Sequence, residues 1–130
     1  MDEKLVKLDK GIFLHIINTN KFKTNLLAAF LLTDLVKDEV TTNALIPSVL
    51  KRGTKNYKTI KEISNKMDDM YGAIFDASSD KIGDNQALQF YISTIDDEYA
   101  LNHEKLLFES IDFMHELIFN PKTIDVKFDE

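Results

Sequence analysis

The sequence predicts an α+β fold, an antiparallel sheet with helices packed on one face. Three observations carry this. Two runs of strand composition lie in the N-terminal third, two helical stretches follow them, and a polar turn at Gly83 then joins two further strand-like runs ahead of a last amphipathic stretch. With 130 residues, 44% hydrophobic content and nine phenylalanines, the chain can bury one core of ordinary size, so residues 1–130 read as a single domain.

The first run, GIFLHIINT at residues 11–19, is rich in β-branched and aromatic residues. KFKTNLLAAFLLTDL follows the polar NTNK, which predicts two strands joined by a turn. The second run is apolar on both faces, as in a strand covered from both sides, although leucine and alanine suit a helix equally. Residues 37–39 read as a surface loop. TTNALIPSVLKRGTKNY, residues 41–57, has helical spacing with Leu45, Val49 and Leu50 as its apolar face and Thr41 or Thr42 as its cap. Pro47 requires either that the regular helix begins near Ile46 or that a helix begun at Thr42 is distorted there, and Gly53 is expected to end it as a left-handed residue.

A second helix is marked by Ile60, Ile63, Met67, Met70 and Tyr71, which share one face, and Gly72 terminates it. AIFDASSDKIGDNQALQFYISTI reads as a hairpin, with Leu88, Phe90 and Ile92 on its buried face and Gln89, Tyr91 and Ser93 on the other. The last helix is expected from about His103 to Phe119, with Asn102 as N-cap and a stripe of Leu107, Ile111, Met114 and Ile118; Asn120-Pro121 stops it.

Composition excludes several functions. The chain carries 22 acidic and 16 basic side chains, a net charge of -6, and lacks the basic face that phosphate-backbone binding needs. It has no cysteine, which removes disulfides, thiolate metal sites and a thiol nucleophile. The N-terminus has no apolar signal region and LLAAFLL is too short to span a bilayer, so the expected setting is cytoplasmic, with neither a nucleic-acid nor a membrane partner. His15, His103 and His115 do not have the spacing of a zinc-binding helix and read as structural or surface residues. Asp68-Asp69, Asp96-Asp97 and Asp112 with Glu116 read as solvated charges. KRGTKNYK lacks the glycine spacing of a phosphate loop. The residues by themselves therefore yield no catalytic group and no metal ligand.

NALIPSVLKRGTKNYKTIKEISNKMDDMYGA, followed by KIGDNQALQFYIS and by a helix ending in LIFNP, resembles the N-terminal half of insulinase- and pitrilysin-type zinc peptidases, the inverzincins, and of their relatives in mitochondrial processing peptidase. The resemblance covers most of the chain and implies the layered α+β fold of processing-peptidase and LuxS-type halves. In active members a helix bearing H-x-x-E-H leads into a Gly-Thr turn. With Gly53-Thr54 aligned on that turn, the motif falls on Ala44, Leu45, Ile46, Pro47 and Ser48, so both histidines and the glutamate are replaced. The third ligand, a glutamate well beyond the motif, would lie near or just past Glu130.

The resemblance thus implies a non-catalytic subunit or domain, the N-terminal part of a longer half. It would bind unfolded peptide and assemble, as a dimer, with an active partner subunit or second half that alone carries zinc. The strand over residues 86–95 and the helix over 103–119 are the expected contacts. Two alternatives are an active zinc-dependent peptidase whose ligands come from outside these residues, and an unrelated α+β domain that binds a protein partner.

Overall fold

Strand pairing divides the chain into a hairpin, a three-stranded sheet and three helices laid against one face of that sheet. The computed structural model describes residues 1–124 and 127–128. Among them no helix is long and apolar enough to cross a membrane. The α+β class expected from the sequence is the one observed.

β1 (Asp2–Asp9) and β2 (Ile12–Asn18) pair antiparallel through a turn in which Gly11 takes a φ of 74°, open to glycine at no steric cost. The strand expected over residues 11–19 exists, but its partner is the N-terminal run and not the segment after it. β1 is hidden in the sequence because Leu5 and Leu8 sit among charges without strict alternation.

β3 (Thr24–Asp34) lies at one edge of the main sheet, whose order is β3-β5-β4, with β4 at Ile74–Ile82 and β5 at Asn85–Ile95. Both pairings are antiparallel. β3 is covered on one face only: Leu27 and Ala29 pack on the core, whereas Leu26, Phe30 and Leu32 are 67%, 58% and 62% exposed. The expectation of cover on both sides is thus corrected. In β5, Leu88, Phe90 and Ile92 are buried and Gln89, Tyr91 and Ser93 half-buried, as alternation requires. β5 is central, with its backbone paired on both sides, so residues 86–95 cannot offer an edge to a partner; β3 and β4 hold the edges.

α1 (Val40–Leu50) runs unbroken with Pro47 inside it. It starts neither at Ile46 nor on a threonine cap, because residues 36–39 already turn the chain: the Val40 N–H donates to the Val36 carbonyl at 2.9 Å. Gln86 Nε2 then donates to the Val40 carbonyl at 2.8 Å and ties the first turn to β5. The buried face is Ile46, Pro47 and Leu50, and Leu45 is 58% exposed.

α2 (Ile60–Asp69) opens on a capping box in which the Thr59 hydroxyl accepts from the Glu62 amide and the Glu62 carboxylate accepts from Thr59. Ile63, Met67 and Met70 are buried, Ile60 is not, and Gly72 at φ 71° closes the helix. α3 (Leu106–Phe119) begins later than His103, because Asn102 and His103 take φ of 55° and 50° in a short 3-10 turn; Asn102 is no cap. Its buried stripe is Leu106, Ser110, Phe113, Met114 and Leu117, rotated from the expected one, and Leu107 and Ile111 face outward. Asn120 ends it before Pro121. A short pair, β6 (Thr123–Ile124) and β7 (Lys127–Phe128), follows. Phe90, Ile92, Met70, Leu106 and Leu117 fill the layer between helices and sheet, and Phe75 meets Phe113 edge-on at 5.3 Å.

Candidate functional site

α1 packs across β4 and β5 and presents Ala44 and Ser48 to the outside, one turn apart. Pro47, next to Ser48 in sequence, is fully buried against the sheet. These are the positions onto which the resemblance lays the metal motif. A methyl group and a pyrrolidine ring have no lone pair for a metal, and a neutral hydroxyl is a poor ligand, so the three cannot hold zinc or activate water. The histidines lie elsewhere. His15 Nε2 meets Glu3 Oε1 at 2.6 Å across the β1–β2 hairpin, His103 sits in the 3-10 turn, and His115 stacks on Phe119 at 5.0 Å. Among the described residues no three histidine, aspartate or glutamate side chains converge as a metal site.

The Gly53-Thr54 turn couples the ends of two helices. Thr54 is fully buried; its N–H donates to the Tyr57 carbonyl at 2.6 Å and its Oγ1 accepts from the Tyr57 N–H at 2.9 Å. The Lys55 N–H donates to the Asn120 carbonyl at 2.9 Å, and Thr54 forms a bridge to Pro121. Glu116, only 8% exposed, accepts from the Asn56 N–H at 2.9 Å and from Asn120 Nδ2 at 3.1 Å. Gly53 is not left-handed, which corrects the expected cap. It is required for space instead: a Cβ there would stand 2.8 Å from the Lys58 carbonyl oxygen.

Beside this turn lies a cleft of about 220 Å³ with Tyr57 and Phe113 as walls and Lys66, Glu109, Asp112 and Glu116 at its rim. Lys66 pairs with Glu109 at 3.0 Å and the turn takes up Glu116, so these three charges of the cleft are engaged within the fold.

The more informative feature is the outer side of β4, where no strand is paired among the described residues. Lys51, at the C-terminus of α1, reaches Asp76 on β4 with Nζ 2.5 Å from Oδ1. Lys51, and then the Ala77 amide, hold the Asp76 carboxyl below the usual aspartate range. Sequence reasoning missed this pair, since 25 positions separate its members and no local pattern links them. The Thr59/Glu62 capping box was missed as well, although its local T-x-x-E spacing is a signal that could have found it.

No protein-family model matches the chain. It is similar to the protein named "Probable inactive metalloprotease YmfF" of Bacillus subtilis (strain 168), being 34% identical over 111 residues that make up 85% of this chain and 26% of that protein. The chain has an inactive-metalloprotease-like relative. Its backbone also matches the crystal structure of a conserved protein from Enterococcus faecalis V583 with a TM-score of 0.94 and 29% identity, covering 99% of this chain and 30% of that one. The chain therefore spans between about a quarter and a third of the length of either relative.

Proposed function

We infer that this chain is a non-catalytic member of the insulinase-like zinc peptidases, and that it holds an extended peptide along the free edge of β4 and assembles with an active partner that carries the zinc. The observation that carries the reading is α1 itself. The helix that the sequence resemblance aligns with the zinc helix packs on β4, whose outer edge is unpaired among the described residues, and it carries Ala44, Pro47 and Ser48 where ligation and water activation need two histidines and a glutamate. The relationship to a protein described as an inactive metalloprotease supports it. An unpaired edge offers a ladder of amides and carbonyls, the usual means by which a sheet holds an extended chain without reading every side chain.

Metal analysis of the purified protein after dialysis against zinc tests the reading. No stoichiometric zinc is expected, and an equivalent of zinc held by His103 or His115 would overturn it. Installing Ala44→His, Pro47→Glu and Ser48→His is expected to give no chelator-sensitive cleavage of an unfolded peptide. Position 47 is fully buried, so the new carboxylate would be directed into the core and away from any metal.

A further inference from the structure

The free edge of β4 is covered at its midpoint by side chains of the chain itself. Residues 83 and 84 form a two-residue turn closed by Ile82 and Asn85, and from such a turn hydrogen-bonded and non-hydrogen-bonded pairs alternate along the ladder. Counted from that closing pair, Ala77 opposite Phe90 is a non-hydrogen-bonded pair, so its N–H and C=O point away from β5. Phe75 and Ser79 share this orientation. The contacts agree: the Ala77 N–H donates to Asp76 Oδ1 at 2.8 Å, and Lys51 Nζ donates to that same oxygen and lies 3.5 Å from the Ala77 carbonyl.

The path of Lys51 matters. Neighbouring side chains on a strand point to opposite faces, and Ala77 is buried beneath the helices, so Asp76 lies on the far face. Lys51 starts from the helix side and has to pass over the strand edge to reach it.

The geometry points to Lys51 and Asp76 as a displaceable stopper on the β4 edge: they satisfy the outward donor and acceptor of Ala77 until an extended peptide replaces them with its own carbonyl and amide. This rests on the reading of β4 as the peptide-pairing edge and adds the gate to it. The two side chains are 41% and 44% exposed, so water screens their attraction and hydrates both once they part. The stopper is therefore weak enough for a peptide backbone to displace, while still disfavouring casual pairing between edges.

The test uses amide hydrogen exchange at Ala77 together with binding of fluorescein-labelled β-casein, an unfolded probe, to the intact chain and to Lys51→Met, Asp76→Ala and Lys51→Arg. Removing either partner is expected to speed exchange at Ala77 about threefold or more while Phe90, inside the sheet, keeps its rate, and to tighten β-casein binding about threefold, with amide shifts centred on Phe75, Ala77 and Ser79. Lys51→Arg should behave as the parent. Unchanged exchange at Ala77 in both Lys51→Met and Asp76→Ala would overturn the stopper, whatever binds. Faster exchange with no β-casein bound by any variant would leave the stopper standing and overturn the peptide-holding reading.

Discussion

At the scale of single residues, Pro47 and Gly53 show how steric terms shape the site. Pro47 removes the amide that would bond the Asn43 carbonyl, and a proline in a helix interior costs about 3 kcal/mol relative to alanine. Replacing its buried ring by a methyl group forfeits roughly two methylenes of burial, about 1.6 kcal/mol. The helix term is the larger, so Pro47→Ala is expected to stabilise the protein by about 1 kcal/mol, read from the urea midpoint. A loss of stability would mean that ring packing outweighs the missing hydrogen bond. Gly53→Ala works in the other direction. The added methyl meets backbone at 2.8 Å and not a movable side chain, so a loss of about 1–3 kcal/mol is expected by the same measurement. Conventional reasoning assigns such a glycine to a left-handed cap, and here the φ excludes that cause.

At the scale of elements, the α1–β4 contact has a defined pH response. Lys51 and the Ala77 amide favour the ionised form of Asp76, so its pKa is lower in the folded than in the unfolded chain. Its contribution is complete above the unfolded-state value, and it disappears as pH falls through the folded-state value. Both side chains are nearly half exposed, which limits the effect to less than about 1 kcal/mol. Urea midpoints of the parent and Asp76→Asn are expected to differ at neutral pH and to converge in acid; a gap that widens on acidification would contradict the assignment. The elements themselves were unequally legible. The β4–β5 hairpin and α2 carry strict alternation or helical spacing with glycine stops, and both stand where the pattern put them. α3 was located but rotated: Leu107 and Ile111 look like core by composition, yet Leu106, Phe113 and Leu117 are the residues that face the sheet. A helix with apolar residues around most of its circumference does not announce which side will be covered.

At the scale of the molecule, apolar side chains exceed what the core absorbs. Phe13, Leu14, Ile16 and Ile17 on β2 are 61%, 41%, 45% and 55% exposed, and Leu26, Phe30 and Leu32 on β3 are uncovered as well. Exposed apolar surface on strands with open edges favours association. Sedimentation of residues 1–130 over a wide concentration range is expected to show concentration-dependent self-association, and Phe13→Lys combined with Phe30→Lys to shift it toward monomer. A strictly monomeric parent that also ignores an active family member in excess would remove the interacting-subunit reading.

Composition and periodicity alone determined that this chain makes an α+β layer, that it lacks thiol chemistry and that no histidine lies between His15 and His103 to supply a metal helix. These follow from residue type and local spacing, which act within a few positions along the chain. Tertiary structure decided the rest: that β2 pairs back onto β1, that β5 is central and β4 an edge, that Glu116 fastens the Gly53-Thr54 turn, and that Lys51 crosses the strand to Asp76. Each of these joins groups far apart in sequence, and their partners are chosen by which surfaces remain after local elements form. That choice is a property of packing, and no local pattern records it.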